Sequence, residues 1–183
     1  MDMGYRMKLE IGPSRQRIWP DCDTLDTVNR PWVKYVAKWG HEPLPFADET
    51  YEAVYASHVL EHIPWHKTQS ALKEVWRILK WGGTFDVWVP DFAVIIQAYH
   101  ENLLGDDWTP HNPDKDPMLW VQGRLFCGHD GGDENLHRAC FDWPYLERAL
   151  EKAGFEAVER LVSPPQRQQV NHQKINLGAR AYK

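Results

Sequence analysis

The chain has 183 residues, of which 43% are hydrophobic and 26% are charged, and its formal net charge is −5. This composition is typical of a folded domain and excludes an intrinsically disordered chain. No run approaches the roughly 18 apolar residues of a membrane-spanning helix, and the acidic balance argues against nucleic acid as a partner.

Strand patterns dominate the first third of the chain. Short apolar or alternating runs end in turn residues, as strands in a sheet do. The second run is the weakest, because Pro20 lacks the backbone donor that a strand interior needs. The predicted strands are Met7–Ile11, Arg17–Asp23, Val33–Lys38 and Tyr51–Ala56.

Helical spacing first appears in His66–Lys80, where apolar residues recur three and four positions apart, and Gly82–Gly83 is predicted to end this helix. A second helix is predicted after Asp91, a typical N-cap residue. A third begins at Asp142 and ends at Gly154. The strands predicted in this part of the chain are Thr84–Val89, Phe155–Val162 and Ile175–Tyr182.

Strands that alternate with helices indicate an α/β fold with a mostly parallel, doubly wound sheet. The last two strands have no helix between them, so the final strand is predicted to enter the sheet antiparallel. We expect a single domain over residues 1–183. Residues 92–141 are predicted to form a helical and loop insertion over the carboxyl edge of the sheet, because so long a connection often covers a binding site.

Ligands of such a sheet bind at the carboxyl ends of its strands. Gly12 follows the first strand and lets a ligand approach the backbone closely. Asp23 closes the second predicted strand, and its two carboxylate oxygens suit a pair of hydroxyl groups. The apolar run Leu44–Phe46 follows the third strand and suits the face of a flat ring, and the polar residues Ser57 and His58 follow the fourth.

The run LPFADETYEAVYASHVLEHI, followed further along by LKWGG, is the most specific motif of the chain. With it, the sequence resembles the class I S-adenosylmethionine-dependent methyltransferases, and among them a small branch with a shortened first helix. The resemblance covers Leu9–Asp91 and resumes at His137–Phe155. It implies a Rossmann-like sheet of about seven strands whose last strand is antiparallel. It also implies methyl transfer from S-adenosylmethionine to an oxygen or nitrogen atom of a small or medium acceptor, with S-adenosylhomocysteine as product.

The resemblance also implies roles for individual residues. Gly12 would lie under the methionine part of the cofactor, and Asp23 would bind the ribose. The chain departs from the family pattern where Ser14 replaces a second glycine and where Pro13 removes a backbone donor. The other predicted cofactor-binding residues are Glu10 beside the glycine loop, Leu44, Pro45 and Phe46 near the adenine, and Ser57, His58 and Leu60 at the methionine end.

The insertion is predicted to select a small-molecule or sugar-like acceptor. His137 is the first candidate for a general base, because histidine titrates near neutral pH, and Asp91 at the end of the fifth strand is the second. Ten tryptophans are many for this length, and Trp108 and Trp120 lie in the insertion, where a ring can stack on a sugar or an aromatic acceptor. The oligomeric state stays open.

Other interpretations remain open at this point. The fold could bind S-adenosylmethionine or a partner without catalysis, because fold alone does not establish activity. Zinc could be held by Cys127, His129, His137 and Cys140. The spacing His58-x-x-Glu61-His62 also matches a zinc-peptidase pattern.

Cysteine usage bears on the compartment. Three cysteines are too few for a disulfide scaffold, and their odd number favours a reducing environment. The first residues carry no apolar run typical of a signal peptide. We therefore expect a cytoplasmic protein with no membrane partner.

Overall fold

The computed structural model describes residues 7–13, 15, 17–102, 112–127, 133–162 and 175–183. Within these residues a seven-stranded sheet runs in the order β3-β2-β1-β4-β5-β7-β6. Six strands are parallel, and β7 lies antiparallel between β5 and β6, which confirms the predicted fold class. The strands are β1 Lys8–Ile11, β2 Asp23–Asp26, β3 Tyr35–Val36, β4 Tyr51–Ser57, β5 Leu79–Pro90, β6 Ala157–Leu161 and β7 Asn176–Tyr182.

Three of the helices begin at aspartates whose carboxylates accept hydrogen bonds from backbone amides of the first turn. These caps are Asp91, Asp116 and Asp142, and the first and last confirm the sequence prediction. The last helix ends at Gly154, whose φ of 115° suits glycine. The helices are α1 Thr68–Ile78, α2 Phe92–His100, α3 Pro117–Phe126 and α4 Trp143–Ala153, with short 3₁₀ turns at Leu60–His62, Trp65–Lys67 and Asp133–Asn135.

The second strand lies further along the chain than predicted. Arg17–Asp23 is not a strand, and β2 begins where that run ends, at Asp23. In the segment before β2, the Ile18 amide donates a hydrogen bond to a carboxylate oxygen of Glu10. Ile18 therefore bonds to a side chain of β1 and not to the backbone of a neighbouring strand. Pro20 also removes a ladder donor within the segment.

The end of α1 also differs from the prediction. The helix stops at Ile78, and Leu79 already has extended backbone angles and begins β5. Gly82 and Gly83 therefore lie inside β5, next to a register shift against β4. Gly82 has a φ of 73°, and its amide donates to the Lys183 carbonyl, so the glycines shape a bend in the strand and do not end a helix.

Buried apolar side chains form two clusters. The larger one contains residues from both faces of the sheet, among them Leu9, Val54 and Leu150. The smaller one consists of Ile95, Trp120, Val121 and Ile175 and joins α2 to α3. Within the described residues, no helix has the length and apolarity needed to cross a membrane.

Candidate cofactor and acceptor site

The glycine turn after β1 lies against the loop after β4. The Gly12 amide donates to the Leu25 carbonyl at 2.8 Å, and its φ is 69°. A Cβ atom at this position would overlap Cγ2 of Val59. Pro13 is fixed from the other side, because the indole N–H of Trp32 donates to its carbonyl at 3.1 Å. Ser14 lies outside the described residues.

Glu10 is a buried carboxyl group one residue before the end of β1. One of its oxygens accepts the Ile18 amide at 2.9 Å, and the Cys22 thiol lies 3.9 Å from the same oxygen. Burial raises the pKa of Glu10 and raises that of the Cys22 thiol to about 11. A buried acid with a shifted pKa beside a strand end is typical of a functional site.

Asp23 does not occupy the position that the sequence analysis gave it. It is the first residue of β2 and pairs with Leu9, and its carboxylate contacts Lys34 Nζ at 2.6 Å and the Tyr51 hydroxyl at 2.9 Å. Tyr51 begins β4, so Asp23 lies at the amino edge of the sheet, opposite the expected ligand site.

The acid at the carboxyl end of β2 is Asp26. It follows Leu25, whose carbonyl binds Gly12, and its Oδ1 accepts the Val28 amide at 3.1 Å. Sequence reasoning missed it because the strand boundary was placed too early. The alternation of Thr24, Leu25 and Asp26 was the signal that could have revealed the strand.

The apolar run after β3 is used for packing. Leu44 is buried, and its amide donates to the Glu74 carboxylate of α1 at 2.8 Å. The Phe46 ring packs edge-on against Tyr35 and Tyr51, while Pro45 is exposed. These contacts direct Leu44 and Phe46 into the core and toward the start of β4, and they give no support to an adenine site there.

The end of β4 makes a strained turn. Ser57 is half-buried, Leu60 is fully buried in the core, and His58 between them has a φ of 54°. The His58 Nε2 lies 3.0 Å from the Asn176 side-chain oxygen. The 3₁₀ turn begins only at Leu60, so His58 and His62 do not share a helical face, and the zinc-peptidase interpretation is wrong.

A buried carboxylate and three histidines meet beyond this turn. Glu61 is 1% exposed, and its Oε1 lies 3.2 Å from His58 Nδ1 and 4.0 Å from His137 Nε2. The rings of His62 and His137 are 4.9 Å apart. We call Glu61, His62 and His137 the Glu61 cluster; within the described part of the chain, it is the one group of three metal-ligating side chains whose ligand atoms lie within 4.8 Å of one another.

The charges of this region follow from burial and contact together. Burial acts to raise the pKa of Glu61, but the adjacent His58, His62 and His137 outweigh it and leave that pKa below its usual value. Burial acts to lower the pKa of His58, yet its contact with Glu61 leaves it raised. The pKa of His137 is lowered, chiefly by burial.

The four-residue zinc site predicted in the insertion does not form as a unit. Cys127 pairs with Leu136 through the backbone, and Cys140 lies in an open cleft. Among the described residues, Cys127, His137 and Cys140 do not form a group of three ligands within reach of one ion, and His129 lies outside the described residues. His137 instead belongs to the Glu61 cluster.

Asp91 is occupied by structural contacts. Its Oδ1 caps α2 by accepting the Ala93 and Val94 amides, and its Oδ2 lies 3.3 Å from Arg160. Next to it, an open cleft with an empty volume of about 200 Å³, bulk solvent included, separates β5 and α2 from α3 and the segment after it. The cleft is lined by Pro90, Phe92, Ile95, Arg124, Leu125, His137, Ala139 and Cys140.

The predicted insertion attaches to the carboxyl ends of β4 and β5. The amides of Arg138 and Ala139 donate to the Glu61 carbonyl, and the Phe92 amide donates to the Phe141 carbonyl. Trp120 belongs to the smaller core cluster at 7% exposure, so its ring packs inside the protein and is not offered to an acceptor. Trp108 lies outside the described residues.

Comparison with known proteins identifies the fold. A methyltransferase from Archaeoglobus fulgidus, described as S-adenosylmethionine-dependent, shares 14% identity over 98% of this chain and 87% of its own, with a TM-score of 0.58. One from Thermotoga maritima shares 18% identity over 97% of this chain and 82% of its own, with a TM-score of 0.53.

A third solved structure is 1,6-didemethyltoxoflavin-N1-methyltransferase from Burkholderia thailandensis, with 1,6-didemethyltoxoflavin and S-adenosylhomocysteine bound. It shares 18% identity over 97% of this chain and 70% of its own, with a TM-score of 0.58. Residues 22–87 match the family model of a methyltransferase domain. The chain therefore has the fold of the S-adenosylmethionine-dependent methyltransferases, and the match over residues 22–87 agrees with the resemblance that its motif indicated.

Proposed function

We propose that the protein transfers a methyl group from S-adenosylmethionine to an oxygen or nitrogen atom of a small acceptor. The observation that carries the proposal is the convergence of Gly12 and Asp26 at the carboxyl ends of the adjacent strands β1 and β2. This is the position at which doubly wound sheets bind ligands.

The residues at this edge fit the cofactor. Gly12 holds a left-handed turn that leaves backbone exposed for close approach, and Asp26 takes over from Asp23 as the partner for the ribose hydroxyls. The Glu10 carboxylate, buried two residues before Gly12, would bind the ammonium group of the methionine part. Pro13 and Ser57 are the other residues that we assign to the cofactor site. Leu60 is fully buried in the core, so we assign it a structural role in the turn after β4.

The cleft beside β5 is the proposed acceptor site. Its walls are mostly apolar, with the cationic Arg124 and the imidazole of His137 among them. This lining suits a small acceptor with a flat or apolar body and a polar substituent. The neighbour from Burkholderia thailandensis, whose structure holds 1,6-didemethyltoxoflavin, supports a small molecule as the acceptor class.

Neither predicted base presents a free atom to that cleft. The Asp91 oxygens hold α2 and Arg160, and His137 Nδ1 lies 3.1 Å from the Arg124 carbonyl while its Nε2 faces Glu61. The proposal therefore rests on alignment of the acceptor with the methyl group. The sulfonium supplies an activated methyl group when the cofactor is bound, so proximity and orientation are the main tasks left to the protein.

Calorimetry with S-adenosylhomocysteine tests the cofactor assignment. We expect wild type to bind and Asp26→Ala to bind about 10-fold or more weakly, because a carboxylate that accepts two hydroxyls contributes charge-assisted hydrogen bonds. Asp23→Ala is the matched control and should bind like wild type, although it loses the contacts to Lys34 and Tyr51.

Two results would contradict the proposal. If wild type bound no S-adenosylhomocysteine at about millimolar ligand, the cofactor assignment would fail, since even weak sites are half occupied there. If Asp23→Ala lost binding while keeping its circular dichroism spectrum and Asp26→Ala did not, the assignment of the ribose to Asp26 would be wrong.

A further inference from the structure

The two histidines of the Glu61 cluster are held in one orientation by backbone carbonyls. His62 Nδ1 lies 3.2 Å from the Leu136 carbonyl, and His137 Nδ1 lies 3.1 Å from the Arg124 carbonyl. A carbonyl only accepts, so Nδ1 of each ring carries the proton and donates. The Nε2 of each ring is then the nitrogen left to bind a metal ion, and that of His137 lies 4.0 Å from Glu61 Oε1.

The carboxylate of Glu61 is the third group of the cluster. Neither of its oxygens accepts a hydrogen bond from any described residue, although both are buried. The contact at 3.2 Å with His58 supplies opposite charge but not a hydrogen bond of good geometry. His58 therefore offsets the charge of Glu61 but leaves both buried oxygens without the hydrogen bonds that buried polar atoms require, while the imidazoles of His62 and His137 lie beside them.

We propose that Glu61, His62 and His137 bind a divalent transition-metal ion, with zinc as the ion that suits the ligands. Two imidazoles and one carboxylate form a ligand set typical of zinc sites with an open fourth position. Carbonyl groups that fix the Nδ1 proton are the usual outer partners of metal-binding histidines. Both features are present before any ion is bound.

The dimensions of the cluster agree with this. Ligand atoms on a tetrahedral zinc ion lie roughly 3.3–3.5 Å apart, given bonds of about 2.0–2.2 Å. The ligand atoms here lie within 4.8 Å of one another, and His137 Nε2 is 4.0 Å from Glu61 Oε1. Binding would therefore draw the ligand atoms together by up to about 1.5 Å, which rotation about side-chain bonds can supply.

The ion would connect two separate parts of the chain. Glu61 and His62 belong to the turn after β4, whereas His137 comes from the segment that follows α3 and lines the acceptor cleft. The metal would fix one wall of that cleft to the sheet. This inference does not depend on methyl transfer.

Zinc binding by the purified protein is the direct test. The chelator-treated protein is titrated calorimetrically with Zn²⁺ alone, and we expect one site in wild type. His62→Ala and His137→Ala should each weaken binding by at least about 10–100-fold, a loss that even changes to outer partners of a metal commonly cause. His66→Ala is the matched control, because His66 is an exposed histidine of the next turn outside the cluster, and it should bind like wild type.

Further variants keep the inference falsifiable. Cys127→Ser/Cys140→Ser should retain the site, whereas loss of binding only in this variant would assign the zinc to the cysteines and overturn the proposal. Glu61→Gln preserves side-chain volume and should lose affinity while its metal-free circular dichroism spectrum matches wild type. If wild type bound no Zn²⁺ at about 100 µM, or if both histidine variants bound it unchanged, the cluster would be a set of hydrogen-bonded side chains only. S-adenosylhomocysteine binding by the chelated protein, measured in parallel, separates this outcome from failure of the cofactor assignment.

Discussion

The side chain of Val59 fills the space in which a Cβ atom of residue 12 would lie, so the glycine turn after β1 and the loop after β4 are packed against each other through Gly12. Gly12 also has a φ of 69°, which L side chains rarely adopt. We expect Gly12→Ala to lower the free energy of unfolding by about 1–3 kcal/mol through overpacking, with about 1 kcal/mol more from backbone strain. Urea denaturation measures this loss.

The double variant Gly12→Ala/Val59→Ala separates the two causes. Removal of the Val59 methyl groups relieves the overlap, so part of the loss should return relative to the sum of the single variants. Strict additivity of the two changes would contradict the role that we give to this contact.

The buried carboxylate of Glu10 should lower the free energy of unfolding at neutral pH. Burial raises its pKa from the usual value of 4.5, so the folded state binds the proton more tightly than the unfolded state. Stability from this group therefore falls as the pH rises through the raised pKa, and it is recovered when the pH falls below 4.5. Glu10→Gln keeps an acceptor for the Ile18 amide and should be more stable than wild type at neutral pH.

Denaturation of wild type and Glu10→Gln across the acidic to neutral range checks this expectation. The difference should shrink as the pH falls, and affinity for S-adenosylhomocysteine should drop in the variant if the carboxylate meets the ammonium group of the cofactor. A stability difference that does not change with pH would show that ionisation of Glu10 is not its source.

Asp91 is expected to act as a helix cap. Asp91→Ala removes the acceptor for the Ala93 and Val94 amides and should cost about 1 kcal/mol. Asp91→Asn retains an oxygen in the same place and should lose less, chiefly the contact with Arg160. Thermal denaturation of the two variants distinguishes them, and equal losses would argue against capping as the main role. Once an acceptor is known, a large loss of rate in Asp91→Asn alone would restore the sequence-based prediction of a base.

Local signals accounted for much of the fold. The helix from Trp143 to Ala153 was predictable from end to end, because Asp142 and Gly154 are cap residues that act on neighbouring backbone groups. The start of β2 was not, because the segment before it is held by Glu10, a residue of another strand. Because the boundary of β2 was predicted wrongly, Asp23 was placed at the carboxyl end of the strand and not at its start. The two ends of a strand lie at opposite edges of the sheet, and ligands bind at the carboxyl edge.

The Glu61 cluster shows the same limit more clearly. Each of its residues was visible in the sequence, but His137 was predicted to be a general base, with a zinc set of Cys127, His129, His137 and Cys140 as an alternative. The structure brings it instead to Glu61 and His62, which precede it by more than seventy positions. Spacing rules describe ligands on one loop or helix, and they do not reveal a contact that depends on how an insertion folds back onto the sheet.

Trp120 gives a last prediction, because it is the largest residue of the smaller core cluster. Its ring is 7% exposed among Ile95, Val121 and Ile175, and its indole N–H is buried without a partner among the described residues. Trp120→Ala should therefore cost about 3–5 kcal/mol as a cavity. Trp120→Phe should cost much less, because it keeps an aromatic ring in the cluster and removes an unsatisfied donor.

Trp81→Ala, at an exposed site, is the control. Urea denaturation ranks the variants, and equal stability of Trp120→Ala and Trp81→Ala would mean that the contacts between α2 and α3 do not stabilise the fold.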